Sequence, residues 1–480
     1  MQAVLLAALS LPCMAAAAED HRSLVKDVVI VGGGSSGSYA AVRLREDYGK
    51  SIALIERESI LGGHVDSFTD PETGMSYDYG VKLFLDAGNA TGFFDRLGVK
   101  RGSGTNPFVN TTYLDFKTGN FLGFAPPPFP AQFDALTKFL EVVEPWEHLL
   151  QPGYFEFPLP QDIPGDLLIP FGDFVTKHGL EDAVPLMYQT TGLGVGNMTS
   201  ELTLFALQAF GASMARSILG LQGSFVPASG RNQDLYDAVG RLLGKDVFYS
   251  STVVDTSRTS SGVRVTIRSS HTGKLTTILA KRLLIAIEPT TENIAPFGID
   301  RDERRTLDKF VYTREYTGII DNAALALNAS YFNLPPNAAP NNYLSYPEPP
   351  FTARIDYLGS GRFFRVTVVG DEALRDARAA KELVQRDFET LLDAGVLTGG
   401  GSTPGTAPSR RVHWVDFSTH GPMHARVSVE HLRGGFFQEL YQLQGRRSTW
   451  WAGGAWSVNF QTTLWQYDDI ILPKLLEGLD

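Results

Sequence analysis

Four apolar residues, Val28-Val29-Ile30-Val31, run directly into Gly32-Gly33-Gly34-Ser35-Ser36-Gly37, and helical character follows from Ser38 to Tyr48. No other stretch restricts the fold as tightly, because an apolar, mostly β-branched run closed by glycine reads as a buried strand that must turn at once into a helix. A second apolar run, Ser51 to Ile55, ends in Glu56. The segment therefore forms a βαβ unit, two parallel strands joined by a crossover helix. In the pattern Gly32-x-Gly34-x-x-Gly37 each glycine has its own task. Gly32 permits the tight turn, Gly34 lets backbone approach a pyrophosphate, and Gly37 lets the helix pack close to the strand. Free N–H groups at the helix start favour phosphate. Glu56 stands where a carboxylate accepts from a ribose diol and repels a 2′-phosphate. Ser36 and Arg57, flanking these positions, join the candidate cofactor-binding residues.

Further along, residues from Thr137 to Gly220 have mostly helical spacing, while Val247 to Val254 and Val263 to Ile267 alternate like paired strands. Phe351 to Tyr357 and Gly361 to Val369 read as strands, followed by a helix from Asp371 to Ala394. Ser448 to Leu479 returns to strand, glycine turn and helix. Loop-rich stretches lie at Ala125 to Ala131, Leu334 to Phe351 and Leu397 to Ser409. A chain that opens and closes with nucleotide-type elements predicts an α/β protein: a discontinuous Rossmann-like domain (24–100, 221–300 and 441–480) with an inserted α+β substrate domain (101–220, mostly helical, and 301–440).

Net charge is −11 over 480 residues, which argues against a nucleic-acid partner. The apolar run Ala3 to Leu11 followed by Ala16-Ala17-Ala18 predicts a secretory signal peptide over residues 1–18, although no Lys or Arg precedes the run. That run is too short for a transmembrane anchor. The sequons at Asn89, Asn110, Asn197 and Asn328 agree with a secreted or lumenal N-glycoprotein. Cys13, the sole cysteine, falls inside the expected leader, so disulfides, thiolate nucleophiles and Cys-ligated metals drop out, and no metal site is expected.

Leu61-Gly62-Gly63-His64 follows Glu56, and Tyr77-Asp78-Tyr79-Gly80 comes next. This succession resembles that of FAD-dependent amine-oxidase-like flavoenzymes. Pro227 to Asn232 is similar to that family's turn before a helix, with Ser229 in place of a glycine. Ala286-Ile287-Glu288-Pro289 resembles its strand end, and Trp451-Ala452-Gly453-Gly454-Ala455 its C-terminal flavin motif, with Ala455 where the family has an acid. The resemblance implies non-covalent FAD, since no cysteine remains for a thioether. It implies contacts from Gly62, Gly63, His64, the backbone of Val253, Gly453, Gly454, Gln461 and Thr462. Pro170 to Phe174, Gly435-Phe436-Phe437, Leu443-Gln444-Gly445 and Leu464-Trp465 look most like fungal β-cyclopiazonate dehydrogenase-like flavoproteins, a branch similar to bacterial polyenoic fatty acid isomerases.

The leading expectation is hydride removal from a hydrophobic small molecule of specialised metabolism, with oxygen or an unidentified acceptor taking the electrons. The alternatives are a double-bond isomerase of a polyunsaturated lipid and a non-enzymatic binding module. Two residues are candidate catalytic groups. Lys82, just past Tyr79-Gly80-Val81, could hold a carboxylate or enolate, with a solvated strand-end lysine as the plain alternative. His420, in the segment His420 to His424 read as a turn resembling a flavin-bordering loop together with Trp414, has a side chain able to act as acid or base, with a structural histidine as its alternative. The aromatic residues from Tyr154 to Phe174 suit either a pocket wall or a core. Oligomeric state is left open.

Overall fold

The computed structural model describes residues 23–104, 109–397, 399 and 409–479. The expected leader with Cys13, and most of the loop expected at Leu397 to Ser409, lie outside them. The strands that build the two main sheets are, in chain order, β1 (Ser23–Val31), β2 (Ile52–Ile55), β3 (Asn110–Asp115), β4 (Asn120–Phe121), β5 (Val247–Phe248), β6 (Ser251–Thr259), β7 (Gly262–Ser269), β8 (Leu275–Ile285), β9 (Val311–Asp321), β10 (Ala329–Asn333), β11 (Phe351–Tyr357), β12 (Phe363–Gly370), β13 (His413–Arg426) and β14 (Thr449–Trp451).

The first sheet has the order β5-β2-β1-β8-β7-β6, with β14 also paired to β8. Its centre is parallel: β1 lies between β2 and β8. Val28, Val29 and Ile30 are wholly buried, as are Ile52 and Leu54. Burial on both faces explains the unbroken apolar runs, and each such side chain contributes about 1.5–3 kcal/mol on leaving water. Segments from the start, middle and end of the chain thus share one sheet, which accounts for the discontinuous α/β reading. The strand expected over Val247 to Val254 is split in two. Ser250 sits at φ +46°, so β5 pairs in parallel with β2 while β6 turns away into an antiparallel hairpin with β7.

The second sheet has the order β13-β9-β12-β11-β10-β3-β4 and is antiparallel except where β10 meets β3. One face is apolar: Tyr316, Ile320, Ile355, Val366 and Val368 pack under helix Ala377–Asp393, which supplies Val384, Phe388 and Leu391. The opposite face carries Glu315, Thr317, Arg354, Asp356 and Arg365. Helical turns between residues 129 and 218 pack into the large core that also covers the first sheet. Phe171 and Phe174 are wholly buried there and Tyr154 stacks on Phe437 with ring centres 3.8 Å apart, so the aromatic run from Tyr154 to Phe174 contributes heavily to core.

Candidate active site

Gly32 leaves β1 at φ +99°, and a Cβ there would stand 2.6 Å from the Ala286 carbonyl at the end of β8. A Cβ on Gly37 would lie 1.9 Å from the Gly32 carbonyl oxygen, so the first helix, Ser35–Val42, can approach the strand only with glycine there. Gly34 differs from both: an added Cβ would meet only the Gly63 Cα, at 3.7 Å, and would project into open space. The Gly62-Gly63 turn is tied over the loop by the Gly62 N–H, which donates to the Gly33 carbonyl at 2.9 Å. Glu56 accepts from the Gly33 N–H at 2.6 Å and from the Glu58 N–H at 2.8 Å. Burial pushes its carboxyl up, against the pull of those two donors. The Ser251 N–H donates to the Glu56 carbonyl at 2.9 Å, which brings Val253 near the expected ribose end, while Arg57 is exposed beside Glu58.

The C-terminal helix Gln461–Leu476 runs against the first helix, and neither has a side-chain cap at its N-terminus. Ser36 donates its hydroxyl to Asp468 at 2.8 and 2.9 Å, so any cofactor contact from Ser36 must come from its backbone N–H. The neighbouring Ser35 hydroxyl, which sequence reasoning passed over, has no hydrogen-bond partner, and neither do Gln461 Nε2 and Thr462 Oγ1. Buried polar atoms are costly unless satisfied. This set of donors, gathered at two uncapped helix starts around an open glycine cradle, fits a pyrophosphate and its sugar chain.

At the C-terminal motif, Gly453 has φ +102° and the Ala452 N–H donates to the Ile285 carbonyl. A Cβ on Gly454 would lie 2.8 Å from Glu288 Oε1. Glu288 therefore stands beside the C-terminal motif. Burial pushes its carboxyl up to about 8, and its Oε2 has no partner.

The segment from His420 to His424 is a stretch of edge strand rather than the expected turn. β13 shifts register against β9 around it, so the extra residue His420 points across the polar face. Pro422 is tolerated because β13 lies at the sheet edge. Trp414 faces the other way, packing with Phe417 under Lys381, away from the glycine loop. His420 Nε2 lies 2.6 Å from Asp66 Oδ2, and its Nδ1 lies 4.0 Å from Glu315 Oε1. Burial opposes the imidazolium, but the two carboxylates outweigh it and His420 is held above 6.5. His64 stacks on it with ring centres 4.6 Å apart and bonds the His420 carbonyl through Nε2 at 2.9 Å, so that nitrogen carries the hydrogen. Burial and the neighbouring His420 push His64 down to about 3. His424, pushed down to about 3 by burial and Arg426, accepts from Asn459 at 3.0 Å. The surroundings thus tune the three imidazoles in opposite directions, His420 up and His64 and His424 down.

Lys82 belongs to the loop after Tyr79, whose carbonyl accepts from Thr317 at 2.9 Å on the polar face of the second sheet. The lysine donates to the Asp78 carbonyl. Its side chain is accessible, yet burial and the charges of Arg365 and Arg354 push the ammonium well below the usual lysine range. A separate depression of about 400 Å³, lined by Val25, Lys26 and Leu279, lies at the start of β1, at the far end from the glycine loop.

Residues 30–97 match the NAD(P)-binding Rossmann-like domain family. Over 459 residues the chain is 33% identical to the FAD-dependent oxidoreductase pigF of Monascus ruber, covering 95% of this chain and 92% of that one. The chain belongs to the FAD-dependent oxidoreductases. It is also 31% identical to the β-cyclopiazonate dehydrogenase of Aspergillus oryzae, over 94% of this chain and 93% of the relative. Among solved structures, a fatty acid isomerase from P. acnes superposes with a TM-score of 0.69 at 17% identity, over 93% of this chain and 98% of its own. A putrescine oxidase does so with a TM-score of 0.61 at 15% identity, over 95% and 100%. Those two likenesses are of fold. This oxidoreductase is an enzyme that takes FAD and acts on a small molecule.

Proposed function

We propose that this enzyme removes hydride from a C–H bond of a hydrophobic specialised metabolite, and that oxygen or a second acceptor then takes the electrons. The observation that carries the reading is the Asp66–His420–Glu315 assembly, stacked on His64 directly after the Gly62-Gly63 turn. Gly34, Gly63, Glu56, Ser35, Gln461 and Thr462 would hold the cofactor, with Gly453, Gly454 and Glu288 at its far side. Bound FAD supplies the acceptor for the electron pair. The chain supplies position, dryness and proton handling: Asp66 orients the His420 ring and stabilises its charge, leaving Nδ1, beyond hydrogen-bond reach of Glu315, to exchange a proton with the reacting molecule. The names of the fungal relatives support a metabolite of this class.

The visible spectrum of the purified protein, recorded without oxygen before and after a small-molecule extract of its source is added, tests this. Bleaching of the flavin band, reversed by air, is the expected result. A band that persists while a polyunsaturated fatty acid is isomerised would replace oxidation with isomerisation. A secretory location is part of the same proposal, supported by the leader pattern and by the exposure of Asn89, Asn110 and Asn328. Loss of apparent mass on deglycosylation of the native protein tests it.

A further inference from the structure

β8 ends between two glycine turns. On one side it pairs with β1, and the Ala286 N–H donates to the Val31 carbonyl at 2.8 Å, just before Gly32; on the other it pairs with β14, just before Gly453. Carboxyl ends of parallel strands are where sheets of this kind take their ligands. Ala286, Ile287 and Glu288 are half-buried there, although Leu283, Leu284 and Ile285 behind them are wholly buried; Gly453, Gly454 and Asn459, which come up against them, are half-buried too. The Glu288 main chain is fixed as it turns into helix Thr291–Ile294, its carbonyl accepting from the Thr290 N–H and from Asn293 Nδ2, each at 2.9 Å. Its carboxyl is not matched in the same way. A Cβ on Gly454 would collide with both Glu288 Oε1 and Asn459 Oδ1, so the two oxygens share the space that glycine leaves. Asn459 Nδ2 donates to His424 at 3.0 Å, so the atom that Asn459 brings beside the carboxyl is an acceptor. Glu288 Oε2 is buried without a partner, and among the described residues no cation pairs with either oxygen.

Side by side with another acceptor, and with no cation to offset it, this carboxyl keeps its proton, and burial pushes it up to about 8. Tyr154 and Tyr312, the other titratable groups that face it, are pushed up by burial and are neutral as well. A neutral carboxylic acid offers both a donor and an acceptor, and a buried one left unmatched is costly. Glu56 closes β2 on one side of β1 and Glu288 follows β8 on the other, so a dinucleotide with its adenosine at Glu56 carries its flavin half across β1 towards Glu288. We infer that Glu288 is a contact for the flavin-bearing half of the cofactor, its Oε2 hydrogen-bonding a polar group there. This rests on the cofactor placement given above and adds to it the form in which the side chain acts, a neutral acid. Ionised, Glu288 cannot donate and becomes a buried charge without a partner, so the hold on the flavin half weakens as pH rises past about 8.

The test is a calorimetric titration of the full-length chain, freed of flavin, with FAD and separately with ADP. ADP reports the part of the cofactor held by Gly34 and Glu56, whereas FAD reports both halves. Glu288→Ala should weaken FAD about 5- to 100-fold and leave ADP within about twofold, which also shows that the variant is folded. In the unchanged protein FAD affinity should fall about tenfold between about pH 7 and about pH 9, and ADP affinity should not follow it. Glu288→Gln, which keeps a donor and an acceptor, should hold FAD nearly as well at about pH 7 and lose that pH dependence; this comparison makes the same test if Glu288→Ala does not fold. FAD held as tightly by Glu288→Ala, FAD and ADP weakened together, or an unchanged pH slope in Glu288→Gln would overturn the inference. Failure of the cofactor placement itself would instead appear as ADP binding that Gly34→Val leaves intact.

Discussion

The two sheets solve opposite problems. The first is apolar on both faces where β1 and β2 run, and it serves its ligand with backbone at one end: glycines that leave room and helix starts that offer N–H groups. The second is apolar on one face only, under helix Ala377–Asp393, and offers charged side chains on the other, from Arg354, Asp356, Arg365, Glu315 and His420. A backbone site takes a cofactor common to many enzymes, whereas a side-chain site can be respecified without disturbing the sheet beneath it. That contrast underlies the proposed division between an end that holds the cofactor and a face turned to the substrate.

The contrast is broken most directly at Gly34. Gly34→Val should abolish flavin retention while the protein still melts cooperatively, because the added group meets only open space and Gly63; flavin content per protein and a thermal melt measure both, and a fully yellow variant would refute the cradle. Gly37→Val should instead prevent folding, since its Cβ falls 1.9 Å from a backbone oxygen. Next in size is His420→Gln, for which turnover should fall about 10²- to 10⁴-fold with flavin retained.

The pH dependence of that step follows from a folded His420 held above 6.5. Where the neutral ring acts as base, kcat/KM should rise with pH through an inflection above 6.5, and the inflection should vanish in the variant. The same shift stabilises the fold fully below 6.5, and that contribution is lost as pH rises through the folded value.

Phe388→Ala, on the apolar face of the second sheet, should cost about 3–5 kcal/mol in chemical denaturation and leave flavin binding alone. An effect of comparable size is expected at Glu288. Its carboxyl keeps its proton to about 8 in the folded protein, against 4.5 as the ordinary value, so stability falls as pH rises between the two. Glu288→Gln should flatten that slope, as seen in melting temperatures from pH 5 to about pH 9; an unchanged slope would show that the carboxyl is not enclosed.

Reading the sequence failed where contacts are distant along the chain. The segment at His420 looked like a turn because Gly421 and Pro422 break local patterns, yet pairing with β9 overrides them at a sheet edge that needs no donor from proline. Nor did the sequence show that Asp468, 432 residues away, takes the Ser36 hydroxyl, leaving the backbone N–H for the cofactor contact expected of Ser36. Arg354 and Arg365 left no signal, since a strand residue's neighbours across a sheet are not written beside it.

By itself the sequence determined the α/β architecture and a dinucleotide cradle, and its resemblance to FAD-dependent amine-oxidase-like flavoenzymes pointed to the flavin. Strand, glycine turn and helix are neighbours in the chain, and their chemistry depends on backbone freedom and period, both local properties. Only the tertiary structure decided which charges meet on the second sheet, that His420 sits between two carboxylates, and that Glu288 lies beside Gly454. Those depend on register and on segments hundreds of residues apart, where burial and Coulomb forces act through space and not along the chain.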